Sequence, residues 1–188
     1  MLEIGGGVGS LSVELVHAGA AHATVLELSS GYEAAARELL RERRLEHRVE
    51  HRLADVVADE HAVGPVDIVV MERVVCCYPD AQALVGAAAR RAARRLVLSY
   101  PRYGVAARVA VAGANLVQRL LHRSFRAYAH RPEVIRSAAA AHGLQPAGPE
   151  RGLVWRVIAF DRSDIAHQLA VARSRSRRTS PTTDAHGD

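Results

Sequence analysis

The run Leu2-Glu3-Ile4-Gly5-Gly6-Gly7-Val8-Gly9 constrains this chain more than any other. It reads as a short buried strand carrying an acid, followed by a glycine turn. A helical pattern starts at once, with Leu11, Val13, Leu15 and Val16 inside Ser10 to His17. A strand, a tight glycine turn and a helix bring backbone N–H groups close to a ligand at a helix N-terminus, because glycine reaches positive φ and adds no side-chain bulk. Such a run suits an α/β fold with its ligand at the first turn; an ordinary glycine-rich loop is the alternative reading.

The spacing of the glycines narrows the ligand. A dinucleotide fingerprint needs G-x-G-x-x-G after a strand. Counted from Gly5 its last glycine falls on Ser10, and counted from Gly7 on Ser12, so both registers fail. The pattern that fits is acid-x-G-x-G-x-G, formed by Glu3, Gly5, Gly7 and Gly9. Three further strand ends carry acids. Ala23 to Glu27 reads as a second strand, and an acid there can accept from both hydroxyls of a ribose. Glu27 is equally readable as an acid near a helix start that Ser29 or Ser30 caps. Val49 to Asp55 is a third strand ending in Asp55. Val66 to Val74 is a continuous apolar run of a buried parallel strand, with Glu72 near its end.

Glu3, Gly5, Gly7 and Gly9 look like motif I of the class I S-adenosylmethionine-dependent methyltransferases, and the acids follow in the order that family uses. The resemblance spans residues 2 to about 162. It implies that Glu3, Gly5, Gly7, Gly9, Glu27, Leu28, Asp55 and Glu72 surround the cofactor S-adenosylmethionine, with Asp55 on the adenine amino group and the acid at the turn on the α-ammonium. Within the class, Asp67 to Asp80, Ser99-Tyr100-Pro101-Arg102 and Gly152-Leu153-Val154-Trp155 resemble a bacterial subgroup related to magnesium-protoporphyrin O-methyltransferases. Family members carry helices before their first strand, so the resemblance implies an N-terminally shortened domain here.

The rest of the pattern alternates strands and helices. Tyr32 to Arg44 is a helix, with Ala34, Ala35, Leu39 and Leu40 as its inward stripe. Asp80 to Ala93 is another, with Arg90, Arg91, Arg94 and Arg95 at its end. Arg95 to Tyr100 is a strand stopped by Pro101. Pro132 to His142 is a helix with proline first and Gly143 beyond it. Gly152 to Phe160 is a last strand, in an antiparallel hairpin with Leu144 to Ala147. The alternation implies a doubly wound, mainly parallel α/β sheet, and the family resemblance implies a Rossmann-like fold whose last strand is antiparallel. Residues 1–162 form the domain, and 163–188, rich in Arg, Ser and Thr, form a polar tail expected to be disordered.

Half the chain is apolar, enough for one core, and no lysine occurs. The tail holds four arginines but also three aspartates, so most of the +5 charge lies on the body; the arginines do not read as a patch interleaved with aromatics, and nucleic acid is not the expected partner. Nothing at the N-terminus reads as a signal peptide, and the adjacent Cys76 and Cys77 read as reduced thiols, so a cytoplasmic location is expected. No metal set is evident; His47 and His51 lack further ligands. Val105 to Leu121 is apolar, helical and too short and interrupted to span a membrane. A lid on the substrate pocket, a membrane-surface helix and a homodimer contact all stay open for it. For methyl transfer to a small-molecule acceptor, with oxygen favoured, Tyr78, Arg102 and His130 are the catalytic candidates, His130 as a base and Arg102 as a fork for an anionic acceptor. A non-catalytic cofactor-fold protein and a nucleotide-linked oxidoreductase are the competing functions.

Overall fold

The computed structural model describes residues 1–163. The tail from 164 onward, and with it nearly all of the segment 163–188, lies outside the described residues. Seven strands form one sheet in the order β3-β2-β1-β4-β5-β7-β6. They are β1 Leu2–Ile4, β2 Ala23–Glu27, β3 Val49–Leu53, β4 Val66–Met71, β5 Ala92–Pro101, β6 Leu144–Pro146 and β7 Trp155–Arg162. The pairs among β1 to β5 are parallel, whereas β7 runs antiparallel to both β5 and β6. The helices are α1 Ser10–His17, α2 Glu33–Arg43, α3 Ala81–Arg91, α4 Val105–Leu120 and α5 Pro132–Ala140. The expected architecture, including the antiparallel last strand, is the one observed.

Side-chain alternation along the strands divides the core into two layers. Leu2, Ile4, Leu26, Val69, Met71, Leu96, Leu98 and Phe160 point to one face and pack with α3 and α5. Val25 and Val49 point the other way and pack with Val13 and Val16 of α1 and Leu40 of α2. Helix α3 lies close to the sheet because its inner side is small: Gly86, Ala87, Ala88 and Ala89 are all buried. Its N-terminus is capped by Asp80, whose Oδ1 accepts from the Ala83 N–H at 2.9 Å. At its far end Arg162 donates to the carbonyls of Ala89 and Ala92, which satisfies acceptors that no further helical turn provides.

Several expectations need correction. The inward stripe of α2 is Ala36 and Leu40, while Ala34 and Ala35 are exposed. The helix begins one residue later than expected, after a 3-10 turn at Ser30–Tyr32, and Leu39 is half-buried against the same layer as Leu40. Helix α3 passes straight into β5 at Ala92, so Arg94 and Arg95 lie on the strand rather than at the helix end. There Arg95 faces Asp161 across the β5–β7 ladder and makes a two-pronged pair, Nε–Oδ1 2.6 Å and Nη2–Oδ2 2.8 Å. Arg91 is buried and donates to four backbone carbonyls, those of Asp59, Glu60, Val63 and Ala87. β7 starts at Trp155, three residues later than expected, after an isolated bridge between Arg151 and Val157.

Helix α4 differs from the others in that none of its residues is buried. No helix among the described residues is long and apolar enough to cross a membrane. This contrast sets a stability prediction. Phe160→Ala removes a fully buried ring from the α3–α5 layer and is expected to cost about 3–5 kcal/mol of unfolding free energy. Val105→Ala on α4, where the side chain is 76% exposed, is expected to change stability by less than about 0.5 kcal/mol. Urea unfolding of both variants, followed by circular dichroism, checks the difference.

Candidate active site

The carboxyl ends of β1, β2, β3 and β4 meet at one cavity of about 470 Å³. This is the edge where ligands bind in open α/β sheets. The glycine turn forms its floor. Gly5 has φ +69°, and a Cβ there would stand 2.3 Å from Cγ2 of Val74, so only glycine fits between the turn and the loop after β4. Gly6 is also sterically required, since its Cβ would lie 2.7 Å from both Glu3 and Val25. Gly6 belongs to neither glycine spacing considered above, and only the packing beneath the turn identifies it.

Glu27 organises this floor. Its Oε1 accepts from the backbone N–H groups of Leu28 (2.8 Å) and Ser29 (2.9 Å), and its Oε2 accepts from Gly7 N–H at 2.9 Å. The capping alternative therefore fails in one respect: the side chain of Ser29 makes no cap bond to the 3-10 turn that follows. The other side of Gly7 is held by β3, where His51 Nε2 lies 2.7 Å from the Gly7 carbonyl. His51 thus serves as a strut for the turn. It is one residue the glycine and acid spacing did not single out.

Of the expected cofactor residues, Gly5, Gly7, Glu27, Leu28 and Asp55 line the cavity. Glu3, Gly9 and Glu72 do not. The reason is strand alternation. Leu2 and Ile4 face the α3–α5 layer, so Glu3 faces α1, where its Oε2 accepts from Ser12 N–H (3.0 Å) and Ser12 Oγ–H (2.5 Å). Burial raises its pKa above the ordinary carboxylate value, although Ser12 opposes the shift. Glu3 therefore ties the start of α1 to β1, with its carboxylate turned away from the cavity. Gly9 is the N-cap of α1 at φ 83°, and its carbonyl accepts from Val13 N–H. Met71 occupies the α3 side of β4, so Glu72 emerges on the opposite face, 3.7 Å from Arg73 Nε.

The loop after β4 supplies the other wall. Arg73 turns it with φ 54°, unusual for a residue with a side chain. Its N–H donates to Ser99 Oγ at 2.8 Å, and its guanidinium stands 5.2 Å over the Trp155 ring. The next turn carries Cys76 and Cys77, both free, with their Sγ atoms 3.6 Å apart. Cys77 lines the cavity. The hydrogen bond from the Cys76 thiol lowers the Cys77 pKa to about 7, against burial and the charge of Glu27. The same bond, reinforced by burial, pushes Cys76 well above the usual thiol range.

The three catalytic candidates separate. Tyr78 lines the cavity, and its hydroxyl donates to Asp55 Oδ2 at 3.2 Å. Burial first, then the Asp55 charge, raises its pKa, so it stays protonated. His130 lies behind Tyr78: its Nε2 is 2.9 Å from the Tyr78 carbonyl, and its ring stacks on Tyr128. Arg102 is exposed and outside the lining; its backbone N–H pairs with the Val154 carbonyl. Tyr100 is buried, its hydroxyl bound to Glu150 at 2.7 Å. Phe125 is a lining residue that the sequence pattern did not single out. Phe125 arrives on the segment that follows α4, which is held over the cavity by Tyr128 N–H to the Cys76 carbonyl at 2.7 Å. Among the described residues, no group of three or more His, Cys, Asp or Glu side chains is placed to hold a metal.

Comparison with known proteins agrees with this geometry. The magnesium protoporphyrin IX methyltransferase of Synechocystis PCC 6803, solved with bound SAH, aligns at TM-score 0.68 and 25% identity over 86% of this chain and 73% of its own. The same enzyme with bound SAM aligns at TM-score 0.65 and 24% identity, over 86% of this chain and 69% of its own. An O-methyltransferase family protein from Burkholderia thailandensis shares the fold at TM-score 0.69 and 18% identity, and this chain spans half its length. No curated protein matches the chain in sequence. The family described as "Methyltransferase domain" matches residues 2–95, the stretch that builds β1 to the start of β5 and with them most of the cavity. The chain belongs to the methyltransferase domain family, whose cofactor is S-adenosylmethionine.

Proposed function

We propose that this protein transfers a methyl group from S-adenosylmethionine to an oxygen of a small-molecule acceptor, with residues 1–162 as the catalytic unit. In this reading Gly5, Gly7, Glu27, Leu28 and Asp55 hold the cofactor. The observation that carries it is the Glu27 carboxylate, fixed on the cavity wall by three backbone N–H groups. A carboxylate has about four lone-pair sites; three are taken, so a site on Oε2 remains for a ribose hydroxyl. Asp55, at the end of β3, offers a second acceptor for an adenine amino group, and Ile4, Leu26 and Val74 give that end of the cavity an apolar lining. The same bond argues against a dinucleotide. The Gly7 N–H that would meet a pyrophosphate is already engaged by Glu27, whose negative charge repels one. Two carboxylates suit a ligand that carries a positive sulfur.

When bound, the cofactor supplies an electrophilic methyl carbon on a sulfonium centre. The chain's own residues then orient and enclose the reactants. Arg73 lines the cavity with its guanidinium held over Trp155, and Tyr78 adds a protonated hydroxyl that donates to Asp55. An acceptor oxygen that is already ionised needs no general base. His130 positions the Tyr78 segment through its bond to the Tyr78 carbonyl.

Two experiments test this reading. Calorimetric titration with S-adenosylhomocysteine, beside NAD as control, is expected to show binding of the former alone. Glu27→Ala is expected to weaken that binding by about 1–3 kcal/mol; unchanged affinity removes the ribose assignment. Alkylation of Cys77 by iodoacetamide follows the thiolate, so its rate is expected to rise as pH increases through about 7. S-adenosylhomocysteine is expected to slow it. Mass spectrometry that finds Cys77 equally reactive with and without the ligand separates the thiol from the cofactor cavity.

A further inference from the structure

Helix α4 is the one helix of eight or more residues that buries nothing among the described residues. At about 3.6 residues per turn, Val105, Val109, Leu116, Val117, Leu120 and Leu121 fall on one broad face. All six are more than half exposed, from 54% at Val117 to 76% at Val105. The opposite side, with Ala107, Val111, Asn115 and Gln118, is half-buried. Asn115 ties it to the segment that follows the helix: its Nδ2 donates to the Ala127 carbonyl at 2.8 Å and its Oδ1 accepts from Ala127 N–H at 2.9 Å. The apolar face therefore points away from the domain. A lid over the cavity needs the reverse orientation.

The charge around this face is of one sign. From Pro101 to Arg131 the chain contains six arginines and no acidic residue. Arg108 and Arg119 follow the boundary between the apolar face and the body, and Arg102, Arg123 and Arg131 are exposed beyond its ends. None of the six pairs with a carboxylate among the described residues. A second copy docked face to face would bring arginine against arginine, which is unfavourable. The convex, unpaired apolar stripe with arginines along its edge has the form of a helix that lies in a lipid interface, its cations extended toward headgroups.

We propose that α4 docks this protein on an anionic lipid surface. The apolar face enters the headgroup–acyl boundary, and the arginines meet lipid phosphates and carboxylates. The helix leads directly to the segment that carries Phe125 into the cavity wall. Docking would therefore bring the cavity mouth to the membrane surface, where an amphipathic acceptor is concentrated.

Sedimentation of the full chain with vesicles tests this. Binding is expected to vesicles of phosphatidylcholine with phosphatidylserine, to be much weaker with phosphatidylcholine alone, and to fall with added salt. Arg108→Gln with Arg119→Gln is expected to weaken it about thirtyfold. Val109→Glu with Leu116→Glu is expected to abolish it while circular dichroism stays unchanged, since both sites are exposed. Failure of the unaltered chain to bind phosphatidylserine vesicles overturns the proposal, as does equal binding by the Glu variant. A dimer in analytical ultracentrifugation that the Glu variant splits assigns the face to a second copy and also overturns it.

Discussion

The geometry of the site depends on one carboxylate. Glu27 accepts from Gly7, Leu28 and Ser29, and so joins the turn after β1 to the end of β2. A turn with several positive-φ glycines has little conformational preference of its own, and glycine loses more chain entropy on ordering than any other residue. The ordering has to come from partners. Glu27 supplies one from β2, and His51 supplies another from β3 by holding the Gly7 carbonyl. The floor of the cavity is thus fixed by two neighbouring strands.

A second acid performs the matching task below the turn. Glu3 is buried against Ser12 and fastens the first turn of α1, which lacks a side-chain cap at Gly9. Burying a carboxylate is costly unless it is hydrogen-bonded, and its raised pKa reflects that cost. The two acids thus have different jobs. Glu3 orients the helix, and Glu27 orders the turn and lines the cavity. The remaining wall, from Arg73 to Tyr78, is held by backbone bonds to Ser99, Tyr128 and His130. Residues distant in sequence therefore shape the cavity without entering it.

Much of this was legible in the chain itself. Strand positions came from apolar runs, and β6 paired with β7 as expected, because hydrophobic alternation and turn residues set register locally. Boundaries failed where tertiary packing decided them. Ala92 ends α3 and begins β5 with no glycine or proline to mark the change, because a small residue lets the helix abut the sheet. The inward face of α2 holds Ala36 rather than Ala34 and Ala35, because only packing distinguishes one alanine of a run from the next.

The sequence alone determined the fold class, the mainly parallel sheet, the glycine turn and the acids at the strand ends, since each follows from local spacing and from the pleat. It also placed Gly5, Gly7, Glu27 and Asp55 at one edge. Only the tertiary structure decided which way each acid faces. Strand alternation around Met71 sends Glu72 to the opposite side of the sheet, and Ser12 draws Glu3 beneath the turn. It also decided that Tyr32, Arg73, Cys77 and Phe125 share one cavity. These residues lie in three separate segments, and long-range packing, which leaves no periodic trace in a chain, is what brings them together.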